Sequence, residues 1–405
     1  MIPVLTKMTA NMLQPGRNQC FDFFILLIAF LFLTSGCLDG SSTHTEEESV
    51  YMADYEAPAY KWGFIDTTGN LVIEAIYDDV GPFSGGFAAV NFKGRWGYID
   101  KSGKTVIRPM YRSAWAFHEN KARVKPFDQP DQFITVSGEV LTSSLWIAVD
   151  DFSEGFARVQ SGITFGYIDT AGKMTLPPVY FGGGSFLHGL AVVSNEEKTG
   201  MINRNGEEII PFMYDQIKFS KEEKLVICNM PGHSVAYDHQ GNEMARIPGV
   251  KMIESDGHLI SIRKDTMMYF YDMAQQRMLN EFTWRNIIYL GQRRWAGKSN
   301  NGYLLLNERG NILKRKSYSQ INWFREGIAA YYTGKHWGYL DLDGTELTVD
   351  LFGLAWDYKE GYARADFADG IAFLDRKQRL AFYPPPGTLD MRDFSEGLAP
   401  VQISN

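Results

Sequence analysis

Lys61-Trp-Gly-Phe-Ile-Asp66 returns thirty-four residues later as Arg95-Trp-Gly-Tyr-Ile-Asp100, and this recurrence decides how the chain is read. Further copies are Phe165-Gly-Tyr-Ile-Asp169 and His336-Trp-Gly-Tyr-Leu-Asp341, with eroded ones at Thr199-Gly-Met-Ile-Asn203, Val235-Ala-Tyr-Asp238, Phe270-Tyr-Asp272, Asn301-Gly-Tyr-Leu-Leu305 and Gly370-Ile-Ala-Phe-Leu-Asp375. A second signature keeps the same beat. It reads Phe83-Ser-Gly-Gly-Phe-Ala-Ala-Val90, Phe152-Ser-Glu-Gly-Phe-Ala-Arg-Val159, Phe324-Arg-Glu-Gly-Ile-Ala329, Tyr358-Lys-Glu-Gly-Tyr-Ala363 and Phe394-Ser-Glu-Gly-Leu-Ala-Pro-Val401. Phe83 and Phe394 lie 311 residues apart, which holds nine steps of about 35, so ten copies fit. Those around 200–320 are degenerate. Repetition at this period marks an array of small units, none able to bury its apolar face without neighbours.

Within a unit, Trp-Gly-Tyr-Ile-Asp predicts a strand and Asp-x-x-Gly a tight turn, whose carboxylate accepts the backbone N–H groups of that turn. Leu71-Val-Ile or Thr105-Val-Ile then returns as a second strand. Pro109, Pro178 and Pro211 are expected to stop that strand at an edge. Phe87–Phe92 predicts a third strand, and Lys93-Gly94 turns it into the next Trp-Gly. Trp62, Gly63, Asp66, Trp96, Gly97, Asp100, Gly166, Asp169, Trp337, Gly338 and Asp341 are therefore structural residues of the motif, and each glycine is expected to make room for an aromatic ring from an adjacent strand. Leu398–Ile403 is the strand that elsewhere precedes Trp-Gly. Set beside Trp62–Asp66 it would close the array and hide both edges. The fold expected is all-β, about ten three-stranded units of about 34 residues in a propeller-like toroid, with an open curved superhelix as the alternative. Thirty-nine glycines and 14% aromatic residues agree with an all-β chain.

These motifs resemble the WG-repeat (KWG) family of bacterial proteins over residues 58–405. The resemblance implies a repeat array and leaves the molecular role open.

The N-terminus reads as an address. Phe23–Leu33 is an apolar run of eleven residues, too short for a bilayer helix of ~20 but suited to a signal peptide, with Lys7 and Arg17 upstream. Leu33-Thr-Ser-Gly36-Cys37 resembles the lipobox of bacterial lipoproteins, although Thr34 stands where an aliphatic residue is usual. That implies a signal peptide over 1–36, lipidation at Cys37 and an acidic tether over 37–57, long enough to hold the domain roughly 20 Å from its anchor. The expected location is the cell envelope, lipid-anchored, at the outer membrane if the organism is Gram-negative. Cleavage would take the net charge from −8 to −9 by removing Lys7, Arg17 and Asp22. No nucleic-acid partner is expected of so acidic a chain.

Candidate chemistry reduces to structure at most positions. Of three cysteines only Cys228 falls in the array, in the apolar run Leu225-Val-Ile-Cys228, as expected of a buried small hydrophobe. Ser102-Gly-Lys-Thr105 resembles the end of a phosphate loop, but Tyr98 occupies the place of the required glycine. His233, Asp238 and His239 lack the spacing of a zinc site, and no metal or cofactor is expected. Glu119, Glu154, Glu326, Glu360 and Glu396 recur with the unit, which argues against a unique catalytic pair. Trp115, Trp323 and Trp356 lie outside the motif and, with Arg293 and Arg294, are the candidate binding residues. The function expected is a non-catalytic, lipid-anchored scaffold for protein–protein interaction. A glycan or cell-wall binding module and an enzyme of undetected type are the alternatives. A specific site is expected in the degenerate copies.

Overall fold

Period-two apolar patterning broken by glycine turns folds each repeat into a small antiparallel sheet. The computed structural model describes residues 55–404 apart from 142–145, 147–148 and 349–350. The signal-like segment 1–36, Cys37 and the tether as far as residue 54 lie outside the described residues. Ten sheets follow one another, six with four strands and four with three, as the blades of a closed propeller. Blade 1 comprises Asp79–Val80, Phe87–Phe92, Arg95–Asp100 and Thr105–Tyr111. In the same manner blades 2 to 9 cover 113–135, 156–180, 182–214, 216–248, 251–284, 287–318, 320–341 and 363–382. Blade 10 joins the two ends of the array: Thr388–Met391 and Ala399–Ser404 pair with Tyr60–Ile65 and Leu71–Tyr77.

Closure is therefore made by backbone hydrogen bonds in one continuous register, from Tyr60 opposite Ser404 to Ile65 opposite Ala399. Both edges that an open superhelix would expose are consumed. The apolar cores lie between sheets. One holds Trp62, Phe64, Ile73 and Tyr77 of blade 10 with Val80, Phe83, Ala88 and Val90 of blade 1; the next holds Tyr98, Ile107 and Tyr111 of blade 1 with Phe117, Val124 and Ile134 of blade 2.

Three details differ from expectation. A fourth strand, only two residues long in blade 1 (Asp79–Val80), precedes the Phe-Ser-Gly-Gly turn; so short a segment carries no alternation to read. The prolines do not end the return strand. It runs through Pro109 and Pro211 to Tyr111 and Tyr214, because both fall in a bulge where three residues oppose one glycine (Trp96 pairs with Tyr111, Tyr98 with Ile107). A bulge leaves donors without ladder partners, and an edge strand tolerates their loss. In blades 1 and 3 the motif glycine accommodates that bulge and no aromatic ring. A Cβ on Gly97 would lie 2.5 Å from the Ile107 carbonyl oxygen, and one on Gly166 2.6 Å from that of Leu176. An aromatic ring presses on this position at Gly200 (Phe212) and Gly338 (Tyr331).

The degenerate copies fold as fully as the others: blades 5, 6 and 7 are all four-stranded. Buried polar side chains replace part of the aromatic packing there. Asn229 Nδ2 donates to Met252 O (3.1 Å), and its Oδ1 accepts from Met252 N (3.0 Å) and Ser234 Oγ (2.5 Å).

Gly97→Ala is expected to lower unfolding stability by about 1–3 kcal/mol through overpacking. Gly184→Ala, where nothing lies within 4 Å of the added carbon, should stay within about 0.5 kcal/mol. Paired denaturant titrations followed by tryptophan fluorescence measure both.

Candidate functional site

The recurring polar residues join blade to blade. Asp66 Oδ1 accepts from Thr68 N (2.9 Å) and Asn70 N (3.1 Å), and Asp100, Asp169, Asp341 and Asp375 cap their own turns in the same way. The tyrosine of the motif reaches the next blade. Tyr98 Oη donates to Trp115 O (2.8 Å), Tyr167 Oη to Gly184 O (2.7 Å) and Tyr339 Oη to Trp356 O (2.9 Å). Its ring packs on the next blade's leading aromatic, as in Tyr98–Phe117 at 4.8 Å, Tyr167–Phe186 at 4.9 Å and Phe64–Phe83 at 4.9 Å.

The recurring glutamates form a second set of links, which the sequence reading missed. Glu119 accepts from Gly155 N (2.8 Å), Glu154 from His188 N (2.6 Å) and Gly189 N (2.7 Å), Glu326 from Gly361 N (3.0 Å) and Glu360 from Gly397 N (2.9 Å). Glu396 accepts from Gly86 N (3.0 Å) across the closure, where Ser395 Oγ also donates to Phe83 O (2.7 Å). Each of these glutamates has φ between 50° and 54°, as the two-residue hairpin turn demands. Asn or Asp would sit there with less strain, so a longer acid at that turn was the available signal. Burial works to raise the Glu154 pKa, but the Gly189 amide, Arg204 and the His188 amide outweigh it and hold the carboxyl below its ordinary value. The same balance, through Lys101 and the Gly86 amide, lowers Glu396.

The candidate tryptophans come from different blades, and Trp115 and Trp356 stand at like positions, each with its carbonyl accepting from the preceding motif tyrosine. Trp115, Trp323 and Trp356 belong to blades 2, 8 and 9, each half-buried. A cation lies over every one of these rings: Arg123 at 3.9 Å from Trp115, Arg325 at 4.8 Å and Lys221 at 5.0 Å from Trp323, Arg364 at 4.7 Å from Trp356. Cys228 is fully buried among apolar side chains, and burial pushes its thiol far above the ordinary value. His233 and His239 do not converge. His233 meets Arg246 (2.8 Å), whereas His239 stacks on His188 at 4.3 Å.

Arg293 and Arg294 are adjacent on the surface. They line a cleft of about 460 Å³ between blades 6 and 7, together with His258, Asp272, Glu308 and Arg309. A second cleft of about 340 Å³ shares Asp272 and Arg309 and continues over Arg277, Leu279 and Phe282. Arg294 is tied down, its Nε donating to Leu342 O (2.7 Å) and its Nη1 lying 3.3 Å from Glu308. Both clefts fall within the degenerate copies. Their lining comes from turns and strand residues of two different units, so no run of sequence displays it.

Four segments, 62–96, 96–125, 165–198 and 200–228, match the family described as "WG containing repeat". No curated protein matches the chain. Among solved structures, a eukaryotic initiation factor is similar with a TM-score of 0.44 and 9% identity over 65% of this chain and 84% of that one. BamB from Moraxella catarrhalis is similar with a TM-score of 0.35 and 10% identity, over 72% of this chain and 96% of its own. The computationally designed Ika8 protein gives 0.33 and 13%, over 73% and 95%. Similarity at this level bears on no ligand, partner or activity.

Glutamates held below their ordinary pKa stabilise the fold fully above the unfolded value of about 4.3, and the contribution disappears as pH falls through the folded value. Glu154→Gln is thus expected to melt below the unaltered protein at pH 7, with the gap closing as the pH is lowered below about 4. Calorimetric melting across that range measures it, and a constant gap would exclude the carboxylate as its source.

Proposed function

We propose that the chain is a lipid-anchored scaffold of the bacterial cell envelope that presents its ring to protein partners and carries out no catalysis. The observation that carries this reading is how the repeating polar groups are used. The recurring aspartates accept their own turn amides, and the recurring glutamates accept amides of the next blade. Carboxylates so engaged are poorly placed for acid–base chemistry on a substrate. A closed ring held in this way offers a rigid surface, and the side chains that break the repeat are free to differ from blade to blade. The glycan alternative is weakened by the cations over Trp115, Trp323 and Trp356, because a sugar would stack on those same faces.

Anchoring rests on the lipobox-like Cys37 and the acidic segment after it. Two or three acyl chains give stable attachment where one does not. The location that follows is the envelope, at the outer membrane in a Gram-negative cell.

Labelling of growing cells with radioactive palmitate is expected to mark the protein and to fail with Cys37→Ser, which should also release it from the membrane fraction. In-cell crosslinking followed by mass spectrometry should then capture one dominant protein. Recovery of the uncrosslinked ring alone would count against the scaffold.

A further inference from the structure

The cleft at the junction of blades 6 and 7 gathers a cluster of arginines. Four arginines, Arg277, Arg293, Arg294 and Arg309, line its two parts against two carboxylates, Asp272 and Glu308, on a chain whose net charge is −8. The Arg293 and Arg309 guanidinium groups make no hydrogen bond or ion pair among the described residues; their backbone amides donate to Tyr289 Oη and Asn307 Oδ1, and the Arg293 carbonyl accepts from Arg294 Nη1. A cationic pair left open on an acidic surface is poised for an anion.

The second part supplies an apolar face. In blades 1, 3 and 4 three residues of the return strand bulge opposite one motif residue, but in blade 6 four do, between Leu279 and Trp284. The longer bulge carries Phe282, which is 45% exposed and lines the cleft beside Leu279. Trp284 is buried at 5%, so no broad indole face is available for a sugar ring. What complements guanidinium groups beside a phenyl ring is a carboxylate next to a large apolar side chain.

We propose that this cleft is a docking groove for an acidic peptide segment bearing a large apolar residue. Its carboxylates engage Arg293, Arg309 and Arg277, and its apolar side chain lies on Phe282 and Leu279. Arginine forks hold carboxylates in two-point contacts, and the joined clefts give an extended segment a path between the blades. The inference rests on the scaffold reading and names the chemistry of the partner.

The probe is fluorescein-labelled Glu-Glu-Phe-Glu-Glu, titrated with the mature chain and followed by anisotropy, with Lys-Lys-Phe-Lys-Lys and a hexamer of galacturonic acid as competitors. Saturable binding that weakens with salt is expected, reduced roughly tenfold by Arg293→Ala with Arg309→Ala and also reduced by Phe282→Ala. Arg293→Glu with Arg309→Glu should transfer preference to the lysine peptide, a gain that misfolding cannot produce. No saturable binding, equal binding of both peptides, or no transfer of preference would overturn the proposal; so would displacement by the galacturonate hexamer at lower concentration than by unlabelled acidic peptide. A photocrosslinker placed in cells at Phe282 separates the two readings. Capture at Ile163 on blade 3 but none at Phe282 rejects the groove and leaves the scaffold standing, whereas capture at neither rejects both.

Discussion

The packing of each Trp-Gly strand against the leading aromatic of the next blade is the contact from which the rest follows. A sheet of three or four short strands can bury only a little apolar surface, and alone it would be marginal at best. Rings such as Tyr98 on Phe117 and Tyr167 on Phe186 place the core between sheets. The tyrosine hydroxyl then fixes how far one blade turns relative to the next by donating to a carbonyl in the following loop. Repeated unit after unit, a fixed step of this kind must end in a ring or a superhelix, and the pairing of Tyr60–Ile65 with Ala399–Ser404 shows that it ends in a ring.

The closing blade uses the same kinds of bond as the others, including an arginine that reaches the next blade as Arg123, Arg158 and Arg364 do. Glu396 and Ser395 reach blade 1 as their counterparts reach their own neighbours. Arg392 lies 4.1 Å from the centre of the Trp62 ring and donates to Asp79 (2.9 Å) in blade 1. The glutamate links carry a cost, since a non-glycine residue with φ near 50° is strained by about 1–3 kcal/mol. Charge-assisted bonds to amides in the following blade offset that strain, which explains why a long acid persists at a turn that favours asparagine or glycine.

Much of this was legible in the chain itself. Two signatures in phase were enough to count ten units and to pair Leu398–Ile403 with Trp62–Asp66, because both depend on local strand and turn chemistry. The short strand at Asp79–Val80, the bulge opposite Gly97 and the reach of Glu154 were not legible. Each depends on which neighbour a residue meets, and Gly97 reads the same whether a ring or a backbone lies opposite. Blades 5 to 7 show the converse: they lost the motif yet kept short continuous buried runs, as in Val226–Met230 and His233–Tyr237, so their sheets are complete. The cleft of Arg293 and Arg294 lies in this degenerate stretch. Of its lining only Arg293 and Arg294 were singled out, since Arg277, Phe282 and Arg309 come together only through the stacking of two blades.

Ring closure is the central claim, and electron spin resonance on labels at Tyr60→Cys and Ser404→Cys tests it most directly, with Cys20 and Cys37 replaced by serine and Cys228 left buried. Opposed residues of an antiparallel pair have Cα atoms about 5 Å apart, so strong dipolar broadening is predicted, to be lost on unfolding in denaturant. Sharp, uncoupled spectra from the folded protein would contradict closure and return the array to an open superhelix.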